Sequence, residues 1–170
     1  FDNPIMNTTK PYSDTGEITL LTYENFKKKH FLQAFVGGQF KVGVWQPRVS
    51  MGIFTQWFNI LVNDKDKSMN NPIGILQWQN AIQLPLDFWL NIDGQWTTSG
   101  YDRNIHLRSS SYVNAKLYKD FSKKKLSITL EARDIFNGSR SDFTVYNNAV
   151  TMFQRNFSEM RCVMFTFQYN

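Results

Sequence analysis

Residues 88–96 read Phe-Trp-Leu-Asn-Ile-Asp-Gly-Gln-Trp, and the alternation they display constrains the chain more than any other feature. Phe88, Leu90, Ile92, Gly94 and Trp96 fall on one side of an extended backbone, with Trp89, Asn91, Asp93 and Gln95 on the other. The pattern recurs over 126–133, where Leu126, Ile128, Leu130 and Ala132 oppose Ser127, Thr129, Glu131 and Arg133. It recurs again at 163–169, where Val163, Phe165, Phe167 and Tyr169 oppose Met164, Thr166 and Gln168. Noisier versions run through 32–42, 48–58, 75–84 and 113–118, and no helical period emerges anywhere. The expectation is an all-β fold of seven or eight meandering antiparallel strands.

No stretch approaches the roughly 18 consecutive apolar residues of a membrane helix, whereas a spanning strand needs only about ten. Composition then bears on the choice. The chain carries 15 Phe, 7 Tyr and 5 Trp, yet its mean hydropathy is −0.41. A membrane barrel produces that combination when lipid-facing apolar residues alternate with lumen-facing polar ones. The turns support it. Gly43 to Pro47, Leu84 to Asp87 and Ser122 to Lys125 read as tight turns, while 63–72, 99–105 and 137–158 are longer. Short turns at one end and long loops at the other are the pattern of outer-membrane barrels, with the short turns periplasmic. Residues 1–16 read as a loop, and 17–42 as one bent strand or a hairpin turning at Lys27 to His30.

The net charge of +5 does not point to nucleic acid, because the lysines cluster at turns, as at Lys27 to Lys29 and Lys123 to Lys125. Cys162 is the only cysteine, so no internal disulfide forms; it falls on the polar side, where a packed neutral thiol is expected. The chain starts at Phe1 without an initiator Met or a leader, which reads as a processed or trimmed product.

Several segments resemble a known family. Thr22-Tyr-Glu-Asn-Phe-Lys-Lys, Val44-Trp-Gln-Pro-Arg-Val-Ser and Gln56-Trp-Phe look like the late-barrel region of TonB-dependent receptors from Bacteroidetes. More closely, they resemble the outer membrane protein beta-barrel family. Gln77-Trp-Gln-Asn-Ala-Ile-Gln-Leu-Pro resembles its strand running into a Pro-containing turn. Leu126-Ser-Ile-Thr-Leu-Glu-Ala-Arg-Asp-Ile-Phe-Asn-Gly resembles its penultimate strand and corner. The similarity spans roughly residues 17–170. It implies that 1–170 is the C-terminal segment of an outer-membrane barrel of about 22 strands. It also implies a bacterial outer-membrane location and the uptake of a scarce nutrient (siderophore, glycan or peptide). The implied partners are outer-membrane lipid, TonB through a plug domain outside this chain, and the barrel assembly machinery. A surface lipoprotein is left open, and nucleic acid is not expected. Phe165, Phe167 and Tyr169 resemble the alternating aromatic signal that the assembly machinery recognises.

The candidate site residues follow from this frame. Asn91, Asp93, Gln95, Glu131 and Arg133 are expected to line the lumen. Trp45, Trp57, Trp78 and Trp96, near strand ends, are expected to form an interfacial aromatic girdle, which Trp89 on the polar side does not join. Core packing in a soluble sandwich and a sugar-binding platform are the competing readings of the same tryptophans. His30 and His106 lie far apart, and Asp102 with His106 reads as a solvated loop pair rather than a metal site. Without a phosphate loop, a GxSxG motif or a Cys/His pairing, neither an enzyme nor a cofactor is expected. The rival readings are a complete small outer-membrane barrel of structural or adhesive role and a soluble glycan-binding β-sandwich, which would bury one face of each sheet against the other.

Overall fold

The computed structural model describes residues 5–11, 19–25, 30–121, 126–156 and 160–169; of 5–11 and 19–25 only the backbone is described. In chain order the strands are β1 (Ile5–Pro11), β2 (Thr19–Asn25), β3 (His30–Gln39), β4 (Trp45–Trp57), β5 (Asn59–Val62), β6 (Lys65–Ser68), β7 (Ile73–Gln83) and β8 (Phe88–Thr97). They continue as β9 (Gly100–Asp102), β10 (Ile105–Leu107), β11 (Ser110–Phe121), β12 (Leu126–Arg133), β13 (Phe143–Tyr146), β14 (Thr151–Gln154) and β15 (Cys162–Tyr169).

Seven of them form one antiparallel sheet in the order β15-β12-β11-β8-β7-β4-β3, a meander in which chain neighbours pair and the intervening short strands are excluded. This sheet is the wall. Cross-strand partners point to the same side, so the registers fix its two faces. The row Val49, Trp78, Gly94, Val113 belongs to an apolar face, as do Leu117, Leu130 and Phe165. The row Gln39, Arg48, Gln79, Asp93, Asn114 belongs to a polar face.

Among the described residues no second layer packs on the apolar face. Val163, Phe165, Phe167 and Tyr169 are 74%, 68%, 62% and 76% exposed, and Val36, Met51 and Trp96 are exposed with them. A soluble β-sandwich would cover such a face with a second sheet, so that reading is corrected. An apolar face of this breadth requires hydrocarbon beside it. At 13 and 12 residues, β4 and β11 exceed the ten or so that a tilted strand needs to cross.

The connections alternate as the sequence predicts. At one end β3 turns into β4 at Gly43, whose φ of +61° suits glycine, and the bonds between Val42 and Trp45 close the turn. The tight turn therefore begins earlier than Gly43 to Pro47, because Trp45 to Pro47 already pair within the sheet. Leu84 to Asp87 is a tight turn, as expected, with Leu84 N–H donating to Phe88 O at 2.8 Å. Ser122 to Lys125 and Lys27 to Lys29 lie outside the described residues.

At the other end the expected long loops carry strands of their own. Residues 63–72 contain β6, paired with β5, and 99–105 contain β9. Residues 137–158 contain β13 and β14, and β14-β13-β10-β9 make a four-stranded sheet. Together with the β5–β6 hairpin this sheet is the rim. Residues 1–16 are also not simply a loop, since β1 pairs with β2 over Ile5 to Pro11; β2 pairs there rather than with β3.

Candidate functional site

The polar face of the wall is threaded by side-chain hydrogen bonds between strands. Ser50 Oγ donates to Gln77 Oε1 at 3.3 Å, Gln77 Nε2 to Gln95 Oε1 at 2.8 Å, and Gln95 Nε2 to Thr97 Oγ1 at 3.1 Å. This amide ladder crosses β4, β7 and β8 and uses both ends of each carboxamide, an arrangement open to Gln and Asn but not to a carboxylate. A second chain runs through Asn114. Its Nδ2 donates to Asp93 Oδ2 at 2.9 Å, and its Oδ1 accepts from the backbone N–H of Asp134 at 3.0 Å.

Asp134 opens the corner after β12. Its carboxylate, almost fully buried, accepts from Gly138 N at 2.9 Å and from Ser139 N at 3.1 Å. The corner thus holds its tight path by an Asp side chain standing in for backbone acceptors. The polar face and the corner are linked through one asparagine.

Between the ladder and the Asp93 row lies a half-open hollow of about 560 Å³, walled by Gln39, Arg48, Ser50, Gln77, Gln79, Asp93 and Tyr112. Gly37 belongs to its lining; a Cβ there would come within 2.9 Å of Ser50 Cβ. A smaller hollow of about 280 Å³ continues along Gln46, Arg48 and Asn91. The larger hollow presents the amides of Gln39, Gln77 and Gln79 beside Ser50 and Tyr112, the smaller those of Gln39, Gln46, Gln79 and Asn91, and both share one cation, Arg48, and one anion, Asp93. Such a surface can hydrogen-bond a polar ligand or a facing domain through donors and acceptors alike, without selecting strongly for charge.

The rim is tied to the wall at Gln56, a fully buried residue at the far end of β4. Its Nε2 donates to Met69 O at 3.0 Å and to Arg103 O at 2.8 Å, while its Oε1 accepts from Arg103 N at 2.8 Å. Phe58, Ile60 and Met69 form a buried cluster on which Val62, Tyr101 and Tyr146 pack. Asp64 and Asn148 exchange two hydrogen bonds at 2.9 and 3.1 Å, and Lys67 Nζ sits 3.5 Å from the centre of the Tyr146 ring. Three connections distant in sequence therefore lock into one body.

The His106 ring lies 4.8 Å from that of Tyr101. Burial, then the neighbouring Lys67 and Arg108 charges, hold its pKa below the ordinary value. Burial, then the charge and hydrogen bond of Tyr146, push the Tyr101 phenol up.

The structure places the predicted lumen residues Asn91, Asp93, Gln95, Glu131 and Arg133 together on the polar face. Arg133 Nε donates to Glu131 Oε1 at 2.6 Å, and Lys116 stands opposite Glu131. Asn91 Oδ1 is buried and meets no hydrogen-bond partner among the described residues.

Trp45, Trp57, Trp78 and Trp96 all belong to the apolar face. Trp45, whose Nε1 donates to Asn80 Oδ1 at 3.1 Å, marks one end of the wall, and Trp57 and Trp96 the other. Trp78 is corrected: it sits in the middle of β7, and its ring lies where a Cβ on Gly94 would stand, 2.3 Å from Cζ2. It covers a strand glycine rather than joining a girdle. Trp89 is on the polar face, opposite Gln83 and Tyr118.

Phe165, Phe167 and Tyr169 alternate on the exposed face of β15. Cys162 is on the polar face as expected but exposed, not packed. Asp102 and His106 lie on β9 and β10 rather than in an irregular loop; Asp102 pairs with Arg103 at 3.6 Å, and His106 stands opposite Tyr101.

Gln56, Asn114 and Gln77 were not singled out as site residues from the sequence, whereas Gln95 of the ladder was. A Gln at a strand end or on a lumen face carries no signal that separates a buried latch from a solvated amide.

A family model described as the outer membrane protein beta-barrel family matches residues 2–169. Among curated proteins and among solved structures, none matches the chain.

Proposed function

The chain belongs to the outer membrane protein beta-barrel family, and from that premise we propose that its seven-stranded sheet is a section of the wall of a TonB-dependent receptor that takes up a scarce nutrient. The protein lies in the bacterial outer membrane, so the short turns face the periplasm and the rim faces outward.

The observation that carries the proposal is the open sheet. Among the described residues, the outer edges of β3 and β15 pair with no strand, and β1–β2 forms a separate hairpin. In hydrocarbon each unpaired backbone group costs several kcal/mol, so a spanning sheet must close. A small barrel closing on itself would join β15 back to β3 or to the first hairpin, and neither pairing occurs among the described residues. The open margins favour further strands between them, a wider lumen and hence a plug to seal it. On this reading the wall is passive and performs no catalysis. Energy arrives from the inner membrane through TonB acting on the plug, and the ligand meets the rim first and the amide-lined face second.

The native size of the protein in purified outer membranes tests this, using an antibody raised against residues 137–158 on a fully denaturing gel. A band several times larger than 20.0 kDa is expected. A band at 20.0 kDa in the membrane fraction would sink the receptor reading and leave a small self-closing barrel.

A further inference from the structure

Among the described residues β14 pairs with β13 alone and forms an outer edge of the rim sheet, and all four of its residues, Thr151 to Gln154, are exposed. The hairpin it makes with β13 is closed by Asn147 N–H donating to Val150 O at 3.1 Å. Antiparallel bonding alternates from there, so Met152 and Gln154 bond to Val145 and Phe143. The N–H and C=O groups of Thr151 and Phe153 therefore point away from the sheet. Edge strands are ordinarily guarded by Lys, Glu or Pro, and Thr-Met-Phe-Gln contains none of them.

Charge marks the same edge. The guanidiniums of Arg108 and Arg155 lie over the Phe153 ring, 5.3 and 5.6 Å from its centre. Arg155 faces Asp142 at 3.4 Å, whereas Arg108 makes no ion pair with a carboxylate among the described residues. Phe153 and Met152 are each about half exposed, one on either side of the strand.

We infer that β14 is a docking edge that takes an extended segment of a second protein at the cell surface, added as a fifth strand, with carboxylates beside Phe153 and apolar side chains beside Met152. The backbone of Thr151 and Phe153 supplies the pairing, as in strand addition generally, and the two arginines supply the preference for acid.

The test uses the whole outer-membrane protein purified in detergent and a fluorescein-labelled peptide of roughly ten residues alternating Glu with Val. A twin with Lys for Glu is the control, and anisotropy is the readout. The acidic peptide is expected to bind at least about tenfold tighter than its twin. Thr151→Pro removes one outward N–H and leaves the bonds to β13, so it should abolish binding. Arg108→Gln with Arg155→Gln should bring the two peptides to equal affinity, a readout that does not depend on how the proline variant folds. Failure of the acidic peptide to bind, or undiminished binding to a correctly assembled Thr151→Pro protein, overturns the inference. So does a rim-dependent dimer, seen by light scattering, that Thr151→Pro disperses and that excludes the peptide, because the edge would then belong to a second copy.

Discussion

In the wall, Phe165 and Phe167 lie 68% and 62% exposed, whereas in the rim Met69 is fully buried and Phe58 and Ile60 nearly so. The same strand geometry is stabilised in two ways. The wall places its apolar side chains outward, where hydrocarbon takes the role of a core, and spends its inner face on hydrogen bonds such as Gln77 to Gln95. The rim stands in water, so it must bury apolar surface inward and pair every polar group it buries, as Gln56 does with Met69 and Arg103. Solvent, not strand propensity, decides which side of a strand carries the apolar residues. The boundary between the two regimes falls near Gln56, one residue before the exposed Trp57 and two before the buried Phe58.

The comparison breaks most readily at Met69. Met69→Ala empties a fully buried site and should cost the rim about 2–5 kcal/mol. Hydrogen exchange should accelerate across β5, β6, β9 and β10 while β8 and β11 keep their protection. Loss of protection throughout the wall would show that rim and wall unfold as one unit, and the distinction would fail.

The wall was readable in the sequence because lipid on one side and water on the other impose a strict period of two. Residues 126–133 were read as a strand and coincide with β12, and the alternations at 88–96 and 163–169 fall within β8 and β15. The rim was not readable for two physical reasons. Strands of three or four residues, such as β9 and β14, are too short to show any period. The contacts that hold them also span the chain: Gln56 reaches Arg103 across 47 residues, and Asp64 reaches Asn148 across 84. Sites fared likewise. Which residues share the polar face could be assigned from alternation alone, but which amides bond to which depends on register, and register is set by pairing. The Trp78 error has the same origin, because what places that ring is Gly94 on the neighbouring strand.

Within the wall the two faces should respond differently to the same charge. Ile92, mid-strand on the apolar face, should lose about 2–4 kcal/mol on Ile92→Arg, the cost of a cation near the bilayer midplane. Thr129→Arg, on the polar face opposite Tyr118 and Thr166, should cost under about 1 kcal/mol. Urea titration of the protein refolded into lipid vesicles measures both. Equal costs would mean that the apolar face does not meet lipid.

The smallest expected effect lies in the rim and depends on proton concentration. His106 has its pKa held below the ordinary value by burial and by Lys67 and Arg108, its ring lies against that of Tyr101, and Asp102 on β9 pairs with Arg103. An imidazole with a lowered folded pKa binds its proton more readily in the opened rim. Above about pH 6.5 both states are neutral and His106 contributes nothing to the balance. As pH falls below that value the opened state protonates first, so rim stability declines, and it levels off once the folded imidazole also takes a proton. Exchange protection at Ile105 to Leu107, corrected for intrinsic rates, should therefore be lower at pH 5 than at pH 7.5, and His106→Gln should flatten the difference. In the wall, β7, whose polar side carries Gln77, Gln79 and Gln83, should show no such dependence. If β7 lost protection over the same interval, the pH sensitivity would belong to the barrel as a whole and His106 would not be its source.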